Sequence, residues 1–235
     1  MKKFISNLLV KYLIRKSTVL DNVKIGEDFQ LLTIKLAYKK NWSPGQKIQI
    51  KVTPDELRSY TPSKWDKDKR TFQTMIYNHR SGPGALWSEA VRPQSHVQVV
   101  GPRNSLDTSD IKSNVIFFGD ETTFGLAYAL KHSEQKFSIK CLFEATKYSD
   151  SLNALTFLNL EEATLFERTK GDAHLKLCVD KIVSTYSDEF IILSGKKTSI
   201  QFVKDALNEN GISSEKIIKK RYWGWKDKDH KKRDH

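Results

Sequence analysis

Apolar and polar positions alternate in short stretches over the first half of the chain. Over the second half they regroup into compact apolar runs separated by helical periods. Residues 18–24 and 29–37 are rich in β-branched and apolar side chains, and Gly26-Glu27-Asp28 between them is a turn signal. Residues 46–53 alternate cleanly, with Ile48, Ile50 and Val52 on one side and Lys47, Gln49 and Lys51 on the other. Residues 72–78 and 96–100 complete a series of strands joined by Gly, Pro and Asp turns, which predicts a small antiparallel barrel. One helix, over residues 85–91, interrupts it after Gly82-Pro83-Gly84. A glycine-rich helix start leaves backbone N–H groups free, and these bind phosphate well.

After Arg103 the pattern changes. Residues 106–113 are polar and read as a linker, and residues 115–119 as a compact buried strand. Further strands are expected over 137–144, 163–167, 190–193 and 216–222, with helices over 121–132, 175–186 and 198–210 and a helical or loop segment near 149–155. In the 198–210 helix Ile200, Val203, Ala206 and Leu207 share a face, and Gly211 ends it. Alternating strands and helices predict an α/β unit with a parallel sheet. The expected division is a barrel domain over residues 1–105 and an α/β domain over 112–235, ending in a basic tail. This layout resembles the ferredoxin–NADP reductase superfamily, in which a flavin sits on the barrel and a nicotinamide nucleotide on the sheet.

Charge sharpens the picture. Forty Lys and Arg against 28 Asp and Glu give a formal net charge of +12, which attracts anions: nucleic acid, acidic membrane, phosphorylated cofactor or anionic substrate. Cys141 and Cys178 form no C-x-x-C pair, so iron–sulfur and structural zinc sites are not indicated, and buried thiols in a reducing cytosol are expected. Residues 1–16 mix cations with apolar residues, and Asn7 and Lys11 interrupt the run. They predict an amphipathic helix on the protein's own surface, not a leader or a membrane span, with association to a membrane surface as the lesser alternative because the helix is basic as well as apolar. A cytoplasmic protein, with nothing that demands more than a monomer, is the expectation.

Candidate chemistry begins at Arg58-Ser59-Tyr60-Thr61. Side chains alternate along a strand, so Arg58 and Tyr60 share one side. Arg58 suits a phosphate, by a charge-assisted fork. Tyr60 can lie flat against an isoalloxazine ring, and the Thr61 hydroxyl can meet the ring edge where hydride arrives. The segment His79-Arg80-Ser81-Gly82-Pro83-Gly84-Ala85-Leu86-Trp87 packs an imidazole, a Gly-Pro turn, a helix start and an indole into nine residues, a pyrophosphate cradle. At the first α/β strand end stands Gly119-Asp120-Glu121-Thr122-Thr123, and at the fourth Ser194-Gly195-Lys196-Lys197-Thr198. Ligands bind beyond the carboxyl ends of parallel strands, although each segment also reads as a plainly capped helix. Glu144 ends the second strand, where an acid can bond ribose hydroxyls, while nearby Lys147 suits a 2′-phosphate; NADH and NADPH both stay open.

Together these segments resemble the siderophore-interacting proteins, flavin-dependent ferric-siderophore reductases. The family's R-x-Y-T corresponds to Arg58 through Thr61, with a following acidic residue at Asp66 after Trp65. Its H-x-x-G-P-A-S-x-W is matched by His79, Gly82, Pro83 and Trp87, with Gly84 and Ala85 in place of the Ala-Ser pair. Its G-P-R, G-D-E-T and Y-W are matched at Gly101 to Arg103, Gly119 to Thr122 and Tyr222-Trp223, while Gly224 replaces the Arg that follows. The resemblance implies FAD as cofactor and NADH or NADPH as donor, a ferredoxin being an alternative donor. It implies an anionic ferric siderophore as substrate, docked by Lys51, Lys226 and Lys228 without any protein ligand to iron. A flavin reductase or electron-supplying component for another protein is the alternative within the superfamily. A basic nucleic-acid module, suggested by the aromatic and cationic C-terminus, leaves Arg58 to Thr61 without a role.

Overall fold

The computed structural model describes residues 15–79, 81–111, 113–134 and 138–224. The expected N-terminal helix and docking residues Lys226 and Lys228 lie outside them. Seven strands form an antiparallel sheet: β1 (Arg15–Ile25), β2 (Phe29–Lys35), β3 (Lys47–Thr53), β4 (Glu56–Tyr60), β5 (Lys64–Asp66), β6 (Thr71–Tyr77) and β7 (His96–Arg103), in the order β4-β3-β7-β1-β2-β6-β5. The sheet curls so that Ile48 and Ile50 of β3 share a buried cluster with Leu32 and Ile34 of β2, Phe72 of β6 and Val97 and Val99 of β7. The alternation read over 46–53 is the cause, because Ile48, Ile50 and Val52 are all buried while Lys47, Gln49 and Lys51 are half-exposed. Helix α1 (Pro83–Ala90) lies between β6 and β7.

The second sheet is parallel. Strands β8 (Val115–Asp120), β9 (Ile139–Ala145), β10 (Thr164–Glu167), β11 (Phe190–Lys196) and β12 (Ile217–Trp223) follow the order β10-β9-β8-β11-β12. Helices α2 (Phe124–Lys131), α3 (Tyr148–Phe157), α4 (Ala173–Thr185) and α5 (Lys197–Glu209) connect them. Strand order reverses between β8 and β11, and the carboxyl ends there form the crevice such sheets use for ligands. Ile200, Val203 and Leu207 of α5 are buried, as their spacing predicts. Two short strands, β4 and β5, escape the hydrophobic pattern: no residue of either is buried, so neither carries the apolar alternation that marks the others.

The two sheets share one core. Ile25, Phe29, Leu31 and Met75 of the first pack with Phe124, Leu126, Phe143 and Leu155 of the second. The Phe29 and Phe124 rings stack at 5.4 Å, Tyr77 lies tilted against Phe29 at 5.2 Å, and Phe124 meets Phe143 edge-on at 4.7 Å. A polar clamp adds to this contact. Asp150, in the first turn of α3, accepts from the backbone N–H groups of Glu27 and Asp28 at 2.7 and 2.9 Å. Lys147 bonds the carboxylates of the same two residues at 2.8 and 3.0 Å. Gly26, with φ of 60°, makes the turn fit, because a Cβ there would fall inside the Asp150 carboxyl group.

Candidate flavin site

A cavity of about 840 Å³ opens between the two sheets, within the size range of cofactor pockets. Its first wall is β4 and the residue after it. Arg58, Ser59, Tyr60 and Thr61 all line it, with Arg58 opposite Ile50 and Tyr60 opposite Ile48 in the β3 ladder. Arg58 forms an ion pair with Glu56 at 3.1 Å and stays about 40% exposed, so its guanidinium remains available to an anion. Burial pushes the Tyr60 hydroxyl well above the ordinary tyrosine range, although Arg58 opposes the shift, so the ring is neutral at any physiological pH.

The second wall is the start of α1. Gly82 (φ 85°) turns the chain in, Pro83 opens the helix, and no side chain caps its first amides. His79 Nδ1 and Ser81 Oγ lie 2.9 Å apart at its mouth. His79, Gly82, Pro83, Gly84 and Ala85 all line the cavity. A Cβ on Gly84 would come 3.1 Å from the Tyr60 hydroxyl and 3.4 Å from Arg58 Cγ. The absent side chain therefore lets helix start and strand approach closely. An uncapped helix start facing an arginine and an aromatic fits a phosphorylated aromatic cofactor.

The third wall belongs to the parallel sheet and its connections: Thr122, Thr146, Lys147, Arg168, Tyr222 and Trp223. Tyr222 reaches across, and its hydroxyl is hydrogen-bonded to that of Thr61. Burial raises the Tyr222 hydroxyl well above the ordinary range.

Behind this wall the strand ends carry a buried charge cluster instead of an open phosphate loop. Asp120 is fully buried and accepts from Thr122 N (3.0 Å), Lys196 N (2.8 Å) and Trp223 Nε1 (2.7 Å). Burial, with Glu121 beside it, pushes its carboxyl up to about 6. Arg168 forms ion pairs with Glu121 at 3.0 Å and Glu144 at 3.2 Å, and donates to Thr146 Oγ1 at 2.6 Å. His174 Nε2 lies 3.0 Å from the same Glu144 oxygen. Burial works to raise the Glu144 carboxyl, but Arg168, Ser199 and His174 together outweigh it and hold it below the usual range.

Several expected contacts stand elsewhere. Glu144, 1% exposed, faces inward to Arg168 and His174 rather than outward to a ribose. Asp120 and Glu121 are buried in the same cluster. Gly119 and Gly195 make room for the protein itself: a Cβ on Gly119 would strike Thr123 Oγ1, and one on Gly195 the Asp120 carboxyl. Ser194 is buried behind the cavity wall. Asp66 lies at the far edge of the first sheet, where it accepts from Lys69 N at 2.8 Å and caps a turn. Trp87, partly buried, packs against the core of the first sheet with its ring 6.2 Å from that of Tyr60. Lys51 is half-exposed on β3, away from the cavity lining. Arg168 and Thr146 escaped sequence reading, although both follow the carboxyl ends of parallel strands, which is the usable signal.

A curled antiparallel sheet joined to a five-stranded parallel sheet, with an open cleft at their junction, is the fold of ferredoxin reductase-like flavoproteins. Within it, residues 29–106 match the family of siderophore-interacting FAD-binding domains, so this lobe is an FAD-binding domain. The siderophore-interacting protein of Acinetobacter baumannii superposes with a TM-score of 0.70 at 18% identity, over 90% of each chain. A siderophore utilization protein from T. fusca gives 0.67 at 16% identity, over 90% of this chain and 92% of that one. The flavohem-like FAD/NAD-binding domain of the nitric oxide dioxygenase of Vibrio cholerae gives 0.69 at 15%, over 90% and 99%. No curated protein matches the sequence.

Proposed function

We propose that the protein reduces ferric siderophores, using FAD and electrons from NADH or NADPH. The observation that carries the reading is the cavity, where Arg58, Tyr60 and Thr61 face the uncapped start of α1 inside the stretch that matches the FAD-binding family. FAD, when bound, supplies the conversion of a two-electron donor into one-electron steps. Arg58 and the free amides at the start of α1 hold its phosphates, and His79 closes the same end. Tyr60, beside Trp87, offers a flat face to the ring. Thr61 would offer its hydroxyl toward the ring, and Tyr222, bonded to that hydroxyl, and Trp223 would line the same side.

The substrate chemistry supports the reading. Fe(III) is small, hard and highly charged, so oxygen chelators hold it tightly, whereas Fe(II) is held far less and reduction releases it. The ferric siderophores that suit this chain are anionic, and its charge of +12 favours their approach. Lys51, with Lys226 and Lys228 of the C-terminal tail, are the proposed docking cations. The nicotinamide nucleotide enters from the parallel-sheet side, where Thr122, Lys147 and Arg168 line the cavity.

The test is spectroscopic. Purified protein with FAD should be yellow, bleach under anaerobic NADH or NADPH, and regain colour with a ferric siderophore. A protein that takes up no FAD overturns the reading. Reoxidation by a protein partner but not by a ferric chelate identifies an electron-supplying component instead.

A further inference from the structure

The β11–β12 ladder holds an irregularity at its carboxyl end. Gly195 pairs with Arg221 and Lys196 with Trp223, so Tyr222 is an extra residue with no opposite number. A bulge of this kind bends the strand and re-aims a side chain. Here the re-aimed side chain is Tyr222, whose hydroxyl meets Thr61 on the other lobe. The bulge is fixed on both strands by one oxygen. Asp120 Oδ2 accepts from Lys196 N of β11 at 2.8 Å and from Trp223 Nε1 of β12 at 2.7 Å. The other oxygen is held by Thr122, through its amide at 3.0 Å and its hydroxyl at 2.5 Å. Space for the carboxyl exists because Gly195, at φ 111°, has no Cβ to occupy it. The Trp223 indole is further held by Lys196 and Arg168, 5.6 and 5.9 Å from its ring centre.

We propose that Asp120 is a positioning residue: by pinning the bulge through Lys196 and Trp223, it sets where Tyr222 holds the Thr61 hydroxyl in the cavity. Asp120 is absent from the cavity lining and makes no hydrogen bond to Tyr222 or Thr61 among the described residues, although its charge bears on the Tyr222 hydroxyl. Its positional effect on them passes through the strand end. The functional meaning rests on the flavin reading above; the mechanical link does not.

Hydrogen exchange on the whole protein, without and with FAD, tests the link. Asp120→Asn keeps the shape but leaves one oxygen for acceptor duties that two now share. Exchange should rise several-fold in the peptide with Tyr222 and Trp223, and also in the peptide with Thr61. Tyr222→Phe should loosen the Thr61 peptide to a similar degree and leave residues 194–196 protected. The double variant should exceed neither single variant at Thr61, because both act on one link. Trp223→Phe, which keeps ring and carboxylate, should show the same pattern more weakly, and decides the matter if Asp120→Asn does not fold. With FAD bound, the long-wavelength flavin band should shift in the same direction in all three variants. An unchanged Thr61 peptide in Asp120→Asn and Trp223→Phe, or additive effects of Asp120→Asn and Tyr222→Phe, overturns the proposal. Failure of the wild type to take up FAD counts against the flavin reading alone, since exchange still decides the link.

Discussion

Among the described residues Arg58 forms an ion pair with Glu56 and stays about 40% exposed, an arrangement that leaves its charge within reach of a ligand. Arg58→Ala should weaken FAD affinity by roughly ten-fold or more, the loss of one charge-assisted contact, measured by titrating the apoprotein. Asp120 makes a different prediction. Its carboxyl has an ordinary value of 3.8 and stands at about 6 in the fold. Between those values the native state keeps a proton that the unfolded state has released. Stability therefore falls as pH rises through this window, by on the order of 3 kcal/mol. Glu144 works in the opposite sense, since its carboxyl is held down and its contribution is lost as pH falls. Denaturant melts of wild type and Asp120→Asn between those pH values should diverge, with the variant lacking the downward slope. At this scale the sequence was partly legible. Arg58, Tyr60 and Thr61, singled out as one segment, do stand together in the cavity lining. The inward pairing of Glu144 was not legible, because its partner Arg168 lies 24 residues away in sequence, on a neighbouring strand end.

At the scale of elements, hydrophobic alternation was a good guide wherever a strand buries one face, as in β3. It was silent for β4 and β5, which bury no residue. The glycines at the ends of β8 and β11 announced a close approach, which the structure contains, but between parts of the protein itself. Gly195→Ala should make this plain. Both its positive φ and the Asp120 carboxyl in the Cβ position oppose the change. The expected cost is about 2 kcal/mol or more, read as a lower urea midpoint with an unchanged slope. Gly84 in α1 tells the converse story. Its Cβ would stand 3.1 Å from the Tyr60 hydroxyl. Gly84→Ala is therefore expected to shift Tyr60 by tenths of an ångström and to alter the bound-flavin spectrum more than it alters stability.

At the scale of the molecule, the order of the elements between residues 18 and 222 was legible apart from β4 and β5, because strand and helix patterns follow each other with short connections. How the lobes lock was not, since locking depends on residues far apart in sequence. Asp150 and Glu27 are separated by 123 positions. Asp150→Ala leaves two backbone donors without their acceptor and should cost about 3 kcal/mol. Exchange at Glu27 and Asp28 should rise with it, and Lys147, which grips the same turn, should limit the damage. The shared aromatic seam has a bearing on chimaeras. A hybrid that takes its nucleotide half from a distant cousin would set a foreign side chain against Phe29, where Phe124 now stacks. Grafts in this architecture should respect that ring pair, and carry both partners or neither.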